Sequence, residues 1–144
     1  MEGTGLARQG AASRQGDRID RTDAEHAVAM ALPLIDRCMR DPAYGDSGFL
    51  HIVVMDPHAA PGVPFEQAIL HEHSVGDRSR WDADYAAFAR AKAKESWTKR
   101  ADNPKGAVFL DGIVVGASGA FESFDQAYSG VVAMCLRALA RHRR

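Results

Sequence analysis

The sequence predicts an α/β (α+β) fold in which an antiparallel sheet is flanked by helices, in the order α-β-β-α-β-β-α. Two observations predict this fold. Apolar residues recur at helical spacing in three segments, near the start, the middle and the end of the chain. Two pairs of strand-like segments follow the first and the middle of these helices. Because strands joined as hairpins pair antiparallel, the segments are expected to form an antiparallel sheet.

The first helix is predicted from Asp23 to about Met39. Thr22, followed three residues later by Glu25, is typical of a capping box at a helix start. Apolar residues then recur every three or four positions, at Val28, Leu32, Ile35 and Met39. Pro33 lies inside this pattern and is expected to kink the helix, because it lacks a backbone donor.

The first two strands are predicted at residues 49–55 and near residues 67–75. The first run is almost continuously apolar, which is typical of a strand buried on both faces, and His51 is its exception. In the second run, period two places Ile69, His71, His73 and Val75 on one face. Glu72 is therefore predicted on the opposite face.

The second pair of strands forms the clearest local signal in the chain. Asp111-Gly112 stands between the apolar runs 107–110 and 113–116, and this dipeptide is the preferred two-residue hairpin turn. Gly116, Ser118 and Gly119 indicate a backbone that a packed helix or a ligand approaches closely. Packing is the more frequent reason for such glycines.

Two further helices are predicted from Trp81 to about Arg100 and after a capping box of Ser123 and Gln126. The middle helix is expected to dock on the sheet through Tyr85 and Phe88. The last helix carries its apolar side on Tyr128, Val131, Val132, Cys135, Leu136 and Leu139.

The composition predicts one folded domain over residues 21–144, preceded by a flexible N-terminal tail at residues 1–20. A formal net charge of −1, with mixed charges along the chain, argues against nucleic acid as a partner. No run reaches membrane-spanning length, so no membrane partner and a cytoplasmic location are expected. Cys38 and Cys135 lie in apolar helical stripes and are expected to be core residues.

Three stretches and the element order resemble the GlcG/HbpS-like family. They are His51 to Asp56, Ala89 to Ala93 and Asp111 to Ala120, which resemble the family's apolar strand ending in Asp, its Lys-Ala helix and its hairpin with a Ser-Gly end. The resemblance implies a profilin-like α/β fold and a homo-oligomer. Some members are described as haem-binding or haem-degrading domains. The His71-Glu72-His73 segment and the long connection from Pro57 to Pro64 depart from the family pattern.

His71 and His73 are the first candidate catalytic residues. They share a strand face roughly 7 Å apart, which suits two ligands of one metal, acid–base chemistry or a purely structural role. A metal would need a third ligand, for which His51, His58 and Glu66 are the candidates.

Lys92 is the third candidate catalytic residue, because a partly desolvated Lys can anchor a carboxylate, act as a base or form a Schiff base. The alternative is a Lys whose ammonium reaches solvent at the edge of the helix. Candidate ligand-binding residues are His51, Asp56, Ser118, Gly119 and Asp125. Among them, Ser118 and Gly119 lead to a helix N-terminus whose free amides suit an anionic group.

The sequence therefore predicts a small-molecule-binding protein and leaves its cofactor open between none and, as the alternative, haem or a divalent metal. One version is an enzyme doing isomerase, hydratase or lyase chemistry on a small carbonyl or carboxylate compound, with His71 or His73 as acid and base and Lys92 on the anionic end. A second version is a non-catalytic sensor that binds haem or a divalent metal through a histidine. A third is a structural role in an assembly.

Overall fold

The computed structural model describes residues 18–143, and its element order confirms the predicted α+β fold class. Two single-turn 3₁₀ helices, Phe65–Ala68 and Arg78–Arg80, lie in the connections before and after the second strand. The main elements are α1 (Arg21–Met39), α2 (Pro42–Gly45), β1 (Leu50–Met55), β2 (Ile69–Val75), α3 (Tyr85–Lys99), β3 (Ala107–Leu110), β4 (Ile113–Ser118) and α4 (Glu122–His142). Across residues 18–143, none of the helices has the length and apolarity needed to cross a bilayer.

The four strands form one antiparallel sheet in the order β2-β1-β4-β3. The two central strands, β1 and β4, are buried along their whole length. This burial explains why their sequences are apolar without alternation. β2 and β3 are the two edge strands.

Helices cover both faces of the sheet. Helices α1 and α4 pack on what we call the two-helix face, against Ile52, Val54 and Val115. Helix α3 packs on the opposite face, the α3 face, where Val53 and Val114 contact Ala89 and Ala93 of the helix. Successive side chains of a strand point to opposite faces, so each central strand contributes to both cores.

Helix α1 begins two residues earlier than predicted. Asp20 has an extended backbone and accepts a hydrogen bond from the Asp23 amide, while the Asp23 carboxylate accepts one from the Asp20 amide. This reciprocal pair replaces the predicted Thr22–Glu25 box, because Thr22 is already inside the helix. The helix continues through Pro33, which lies on its exposed side.

The predicted tail at residues 1–20 ends earlier than expected. Ile19 is buried in the core of the two-helix face, and its amide donates to His58 Nε2 at 3.0 Å. Ile19 and the helix cap Asp20 therefore belong to the folded part of the chain. The rest of the predicted tail, residues 1–17, lies outside the described residues.

Helix α3 begins at Tyr85, because Asp84 caps it by accepting from the Ala87 amide. Trp81, the predicted start, precedes the helix. Phe88 is 52% exposed, so the predicted docking through Phe88 is wrong. Tyr85 is buried as predicted, and a stripe of alanines takes the place of Phe88; their small side chains let the helix backbone approach the sheet at Gly116.

Strand β2 contains an irregularity that changes its predicted faces. Val54 pairs with His71 but Met55 pairs with Ile69, so the register shifts by one residue between them. Ile69 consequently packs on the α3 face, whereas Leu70 packs on the two-helix face. The predicted common face of Ile69 and His71 is wrong, because an extra residue in one strand reverses the alternation.

Helix α4 begins at Glu122 after the N-cap residue Phe121, whose side chain makes no capping hydrogen bond, so the predicted Ser123–Gln126 box is wrong. The Gln126 amide donates to the carbonyl oxygens of Asn103 and Ala107 instead. Gln126 therefore holds the loop that precedes β3 against the start of α4.

Replacing Gly116 with Ala is expected to lower the free energy of unfolding by about 1–3 kcal/mol, the usual effect of overpacking. A Cβ at Gly116 would lie 2.8 Å from the Ala93 side chain and 2.9 Å from the Ala89 carbonyl oxygen. Gly130→Ala in α4 is the control, since a Cβ there meets only Val108, at 3.9 Å. Removing an interior helical glycine stabilises by roughly 0.5–1 kcal/mol, so chemical denaturation is expected to show opposite signs. Equal effects would contradict the close packing of α3.

Candidate functional site

The three candidate catalytic residues do not lie together. His71 pairs with Val54, whose side chain is on the two-helix face, and His73 pairs with Ile52, on the same face. Lys92 extends from α3 on the opposite face. The sheet separates the histidines from Lys92, so one chain does not build the predicted site that combines them.

His71 and His73 are neighbours on edge strand β2. Their ring centroids are 6.4 Å apart, and the rings are tilted by 36°. Within residues 18–143 no third Cys, His, Asp or Glu completes a metal-binding group with them. Partial burial lowers the pKa of His71, although the Glu25 carboxylate opposes this shift. His71 is therefore largely uncharged at neutral pH.

A groove of about 370 Å³ runs over the outer edge of β2. It joins the two faces of the sheet, because Arg21 of α1 lies on one side of the strand and Arg90 of α3 on the other. His71 is part of its wall and His73 is not. The lining residues are Arg21, Glu66, Ile69, Leu70, His71, Glu72 and Arg90.

The groove's Glu72 belongs to a hydrogen-bonded network on the α3 face. Arg90 donates to both Glu72 oxygens at 2.8 Å, through Nε and Nη2. The buried His51 contacts Glu72 Oε1 through Nε2 at 2.9 Å and the Ser74 hydroxyl through Nδ1 at 2.8 Å. A bidentate guanidinium–carboxylate pair of this kind is a strong, directional contact.

The charges in this network follow from burial and hydrogen bonding. Burial lowers the pKa of His51, against the attraction of Glu72, so the imidazole is neutral. Desolvation raises the pKa of Glu72, but hydrogen bonds from Arg90 and His51 outweigh it and the net pKa is lowered. Because Glu72 is an ionised acceptor, His51 Nε2 donates to it, and Nδ1 accepts from Ser74. Both ring nitrogens of His51 are therefore engaged.

Trp81 covers this network from the side of solvent. Its ring packs edge-on against His51, with centroids 5.9 Å apart, and the Arg78 guanidinium lies over the ring at 4.5 Å. The indole Nε1 is buried and has no hydrogen-bond partner among the described residues. Trp81 thus screens His51 from water, which agrees with the lowered pKa of the imidazole.

A second polar cluster joins α3, β4 and α4. Lys92 Nζ lies 3.0 Å from Asp125 Oδ2 and donates to the Ser118 hydroxyl at 3.3 Å. The Asp125 side chain is 1% exposed and that of Lys92 is 16% exposed. The structure therefore brings together the predicted residues Lys92, Ser118 and Asp125 as a buried ion pair with one hydroxyl.

Asp125 occupies the position predicted for an anionic ligand. Its Oδ1 accepts from the Ala120 amide at 2.8 Å, at the N-terminus of α4. Gly119 has a φ of 139° and packs against the Phe49 backbone, so packing explains this glycine. The chain's own carboxylate satisfies the amides that the sequence assigned to a substrate. The groups of this cluster therefore satisfy one another, and the cluster has a structural role.

Asp56 and His58 also have structural roles. Asp56 Oδ1 accepts from the His58 amide at 2.9 Å, and the Asp56 amide donates to the Ala68 carbonyl. Since His58 Nε2 accepts from Ile19, this imidazole anchors the start of the described chain. Asp56 is separate from both polar clusters.

The sequence did not identify Arg21, Arg90 or Glu72 as members of a site. The alternation of β2 places Glu72 and Ser74 on one face. That His51 shares this face follows only from the pairing of β1 with β2, in which His51 lies opposite Ser74. Nothing in the local sequence distinguishes Arg90 from the other basic residues of α3. Only the docking of α3 brings its guanidinium to Glu72.

No family model, curated protein or solved structure matches this chain. The resemblance to GlcG/HbpS-like proteins therefore stays a prediction. The geometry of the described residues carries the functional argument.

The Lys92–Asp125 pair predicts a particular pH dependence of stability. Burial raises the pKa of Asp125 to about 6, although Lys92 and backbone amides favour the carboxylate. The folded state binds this proton more tightly than the unfolded state does, so the Asp125 contribution to stability is largest at low pH. We expect it to be lost as pH rises from about 4 to about 6.

The measurement is chemical denaturation of the wild type and of Asp125→Asn from about pH 4 to about pH 8, a range that includes the expected transition. The free energy of unfolding of the wild type should fall relative to that of Asp125→Asn as pH rises. Asp111→Asn is the control, because Asp111 is an exposed carboxylate that pairs with Arg137 and Arg141. A parallel pH dependence in the wild type and Asp125→Asn would contradict the raised pKa.

Proposed function

We propose that this protein binds a small carboxylate compound in the groove at the edge of β2. The single observation that carries the proposal is the convergence of Arg21, Arg90 and an uncharged His71 on one groove. Guanidinium groups suit carboxylates because they present several N–H donors in one plane. The volume of about 370 Å³ suits a small ligand.

Arg90 is prepared for this role by Glu72. The carboxylate holds the guanidinium through Nε and Nη2, and the second terminal nitrogen, Nη1, makes no hydrogen bond within the described residues. A ligand oxygen that binds Nη1 meets a donor whose orientation is already fixed. Pre-organisation of this kind lowers the entropic cost of binding.

Arg21 supplies the second donor from the opposite side of β2. Its only ion pair in the described chain is an exposed contact with Glu25 at 3.5 Å. An exposed pair of this type contributes little to stability, so a ligand carboxylate competes with it readily. The neutral imidazole of His71 then lies beside the bound compound as a proton acceptor.

The chemistry that this arrangement supports is proton abstraction next to a carbonyl or carboxylate group. A neutral His is a general base near pH 7, and a guanidinium stabilises negative charge that develops on a carboxylate or enolate oxygen. Isomerase, hydratase and lyase reactions share this step. Lys92 takes no part in it, because the ion pair with Asp125 holds it on the other side of the sheet.

The haem or metal alternative is left with few ligands. Hydrogen bonds engage both nitrogens of His51 and Nε2 of His58. Among His51, His58, His71 and His73, only the last two have both ring nitrogens free of hydrogen bonds within the described residues, so they are the candidate axial ligands that remain fully available. A Soret band in the absorbance spectrum of haem-loaded protein, lost in a His71→Ala, His73→Ala double variant, would favour this alternative over carboxylate binding.

Binding of malonate or succinate is expected to strengthen as pH falls below 6.5, the ordinary His value from which burial lowers the pKa of His71. Protonation adds a positive charge to the groove and attracts the anion. Isothermal titration calorimetry across pH measures this dependence. Arg21→Gln should weaken binding by about tenfold, equivalent to about 1.4 kcal/mol.

The matched variants are His71→Asn and His73→Asn. Both residues lie on the same strand and face, but only His71 lines the groove. His71→Asn should remove the pH dependence of binding, and His73→Asn should keep it. Equal behaviour of the two variants, or binding that Arg21→Gln leaves unchanged, would overturn the assignment of the groove.

A further inference from the structure

The groove at β2 carries charges of both signs rather than an excess of positive charge. Its walls include the guanidiniums of Arg21 and Arg90 and the carboxylates of Glu66 and Glu72. His71, the other titratable lining residue, is largely uncharged at neutral pH. A bound monocarboxylate would leave the groove with a net negative charge. A ligand that also carries a positive group would leave the groove neutral.

The Glu72 carboxylate is already engaged within the protein. Both of its oxygens accept from Arg90 at 2.8 Å, and Oε1 also contacts Nε2 of the buried His51 at 2.9 Å. A positive ligand group at Glu72 would compete with a bidentate guanidinium–carboxylate pair, which is a strong contact. Glu66 is therefore the carboxylate of the groove that a positive group can reach at the lower cost.

Glu66 has no internal partner for its charge in the part of the chain that the structure describes. Among residues 18–143, the glutamates that form ion pairs are Glu25, Glu72 and Glu95. Glu66 is exposed, so its carboxylate meets water in the unliganded groove. An ammonium group that replaces this water gains an opposite charge without breaking a contact of the protein.

The backbone at Glu66 is held in place, and its carboxylate lies close to Arg90. The 3₁₀ helix Phe65–Ala68 buries its first and last residues in the core of the α3 face. Hydrogen bonding to Glu72 raises the pKa of the Arg90 guanidinium, and the charge of Glu66 adds to this effect. The groove therefore offers a positive and a negative group within reach of one small compound.

We propose that the ligand of the β2 groove is a short amino acid, which carries one carboxylate and one ammonium group. The inference rests on the proposed function, because Arg21 and Arg90 bind the carboxylate in both. Glu66 pairs with the ammonium group and sets the specificity of the groove. A dicarboxylate is disfavoured, since its second carboxylate meets the like charge of Glu66.

Isothermal titration calorimetry with propionate, alanine, β-alanine and succinate tests the proposal. The last three compounds are propionate with an added ammonium or carboxylate group, so the series isolates the effect of that charge. At about pH 7, the tighter of the two amino acids should bind the full chain about fivefold more strongly than propionate, the upper range for an exposed ion pair. Succinate should bind no more strongly than propionate.

Glu66→Gln should act on the ligands with opposite signs. It should weaken binding of the preferred amino acid by about fivefold and strengthen binding of succinate, because the same charge attracts the first and repels the second. A loss of folded protein would weaken binding of every ligand instead. The matched control is Glu25→Gln, since Glu25 pairs with Arg21 but does not line the groove. Glu25→Gln should keep the preference for the amino acid over propionate.

Arg21→Gln separates this inference from the proposed function. If Arg21→Gln weakens propionate binding but the wild type binds propionate and both amino acids equally, the carboxylate site stands and the amino-acid assignment is overturned. A preference that Glu66→Gln keeps, or that Glu25→Gln removes, would also overturn the role of Glu66. If none of the four compounds binds, or Arg21→Gln leaves propionate binding unchanged, the proposed function fails and the inference fails with it.

Discussion

The central constraint on this fold is the complete burial of β1 and β4. Both strands are covered by helices on each face, so water does not reach the polar groups within them. A buried polar group that lacks a hydrogen bond destabilises the fold by about 1–3 kcal/mol. His51 of β1 and Ser118 of β4 therefore require partners from other elements, and these partners form the two polar clusters.

The two clusters differ in how they meet this requirement. The α3-face network holds His51 neutral and surrounds Glu72 with an arginine and the imidazole, so its one carboxylate stays ionised. The Lys92 cluster buries a carboxylate more deeply, and desolvation exceeds the attraction of the lysine. The first cluster reaches a groove through Glu72 and Arg90. The second cluster is closely packed against Gly106. A Cβ at this position would lie 2.8 Å from the Lys92 side chain.

The position of β2 at the sheet edge gives the molecule its accessible polar surface. All seven residues of β2 are partly buried, in contrast to the fully buried β1. Side chains from both helical layers meet only where the sheet ends, which is why Arg21 and Arg90 approach the same groove. Away from β2, Met30 and Leu34 of α1 and Met134 of α4 leave an apolar surface exposed to solvent. The protein thus exposes one polar groove and one separate apolar surface.

The sequence predicted the fold class, the element order and the hairpin at Asp111-Gly112 because each depends on residues close in the chain. Asp-Gly stabilises its turn locally, and the apolar runs of β1 and β4 predict burial. The local patterns were less reliable at element ends. Asp20 competed with Thr22 for the cap of α1, and the start of α3 depended on Asp84 rather than on the aromatic Trp81.

The candidate site was less predictable than the fold. The sequence placed His71 and His73 on one face and named Lys92, Ser118 and Asp125, which the structure brings together. It did not show that the histidines and Lys92 lie on opposite faces, because that depends on which side of the sheet each helix docks. The sequence by itself determined which segments are helices and strands, since these follow from local periodicity. Only the tertiary structure decided which polar side chains meet, because hydrogen bonds such as that of Arg90 with Glu72 join residues that pair only after the layers have packed.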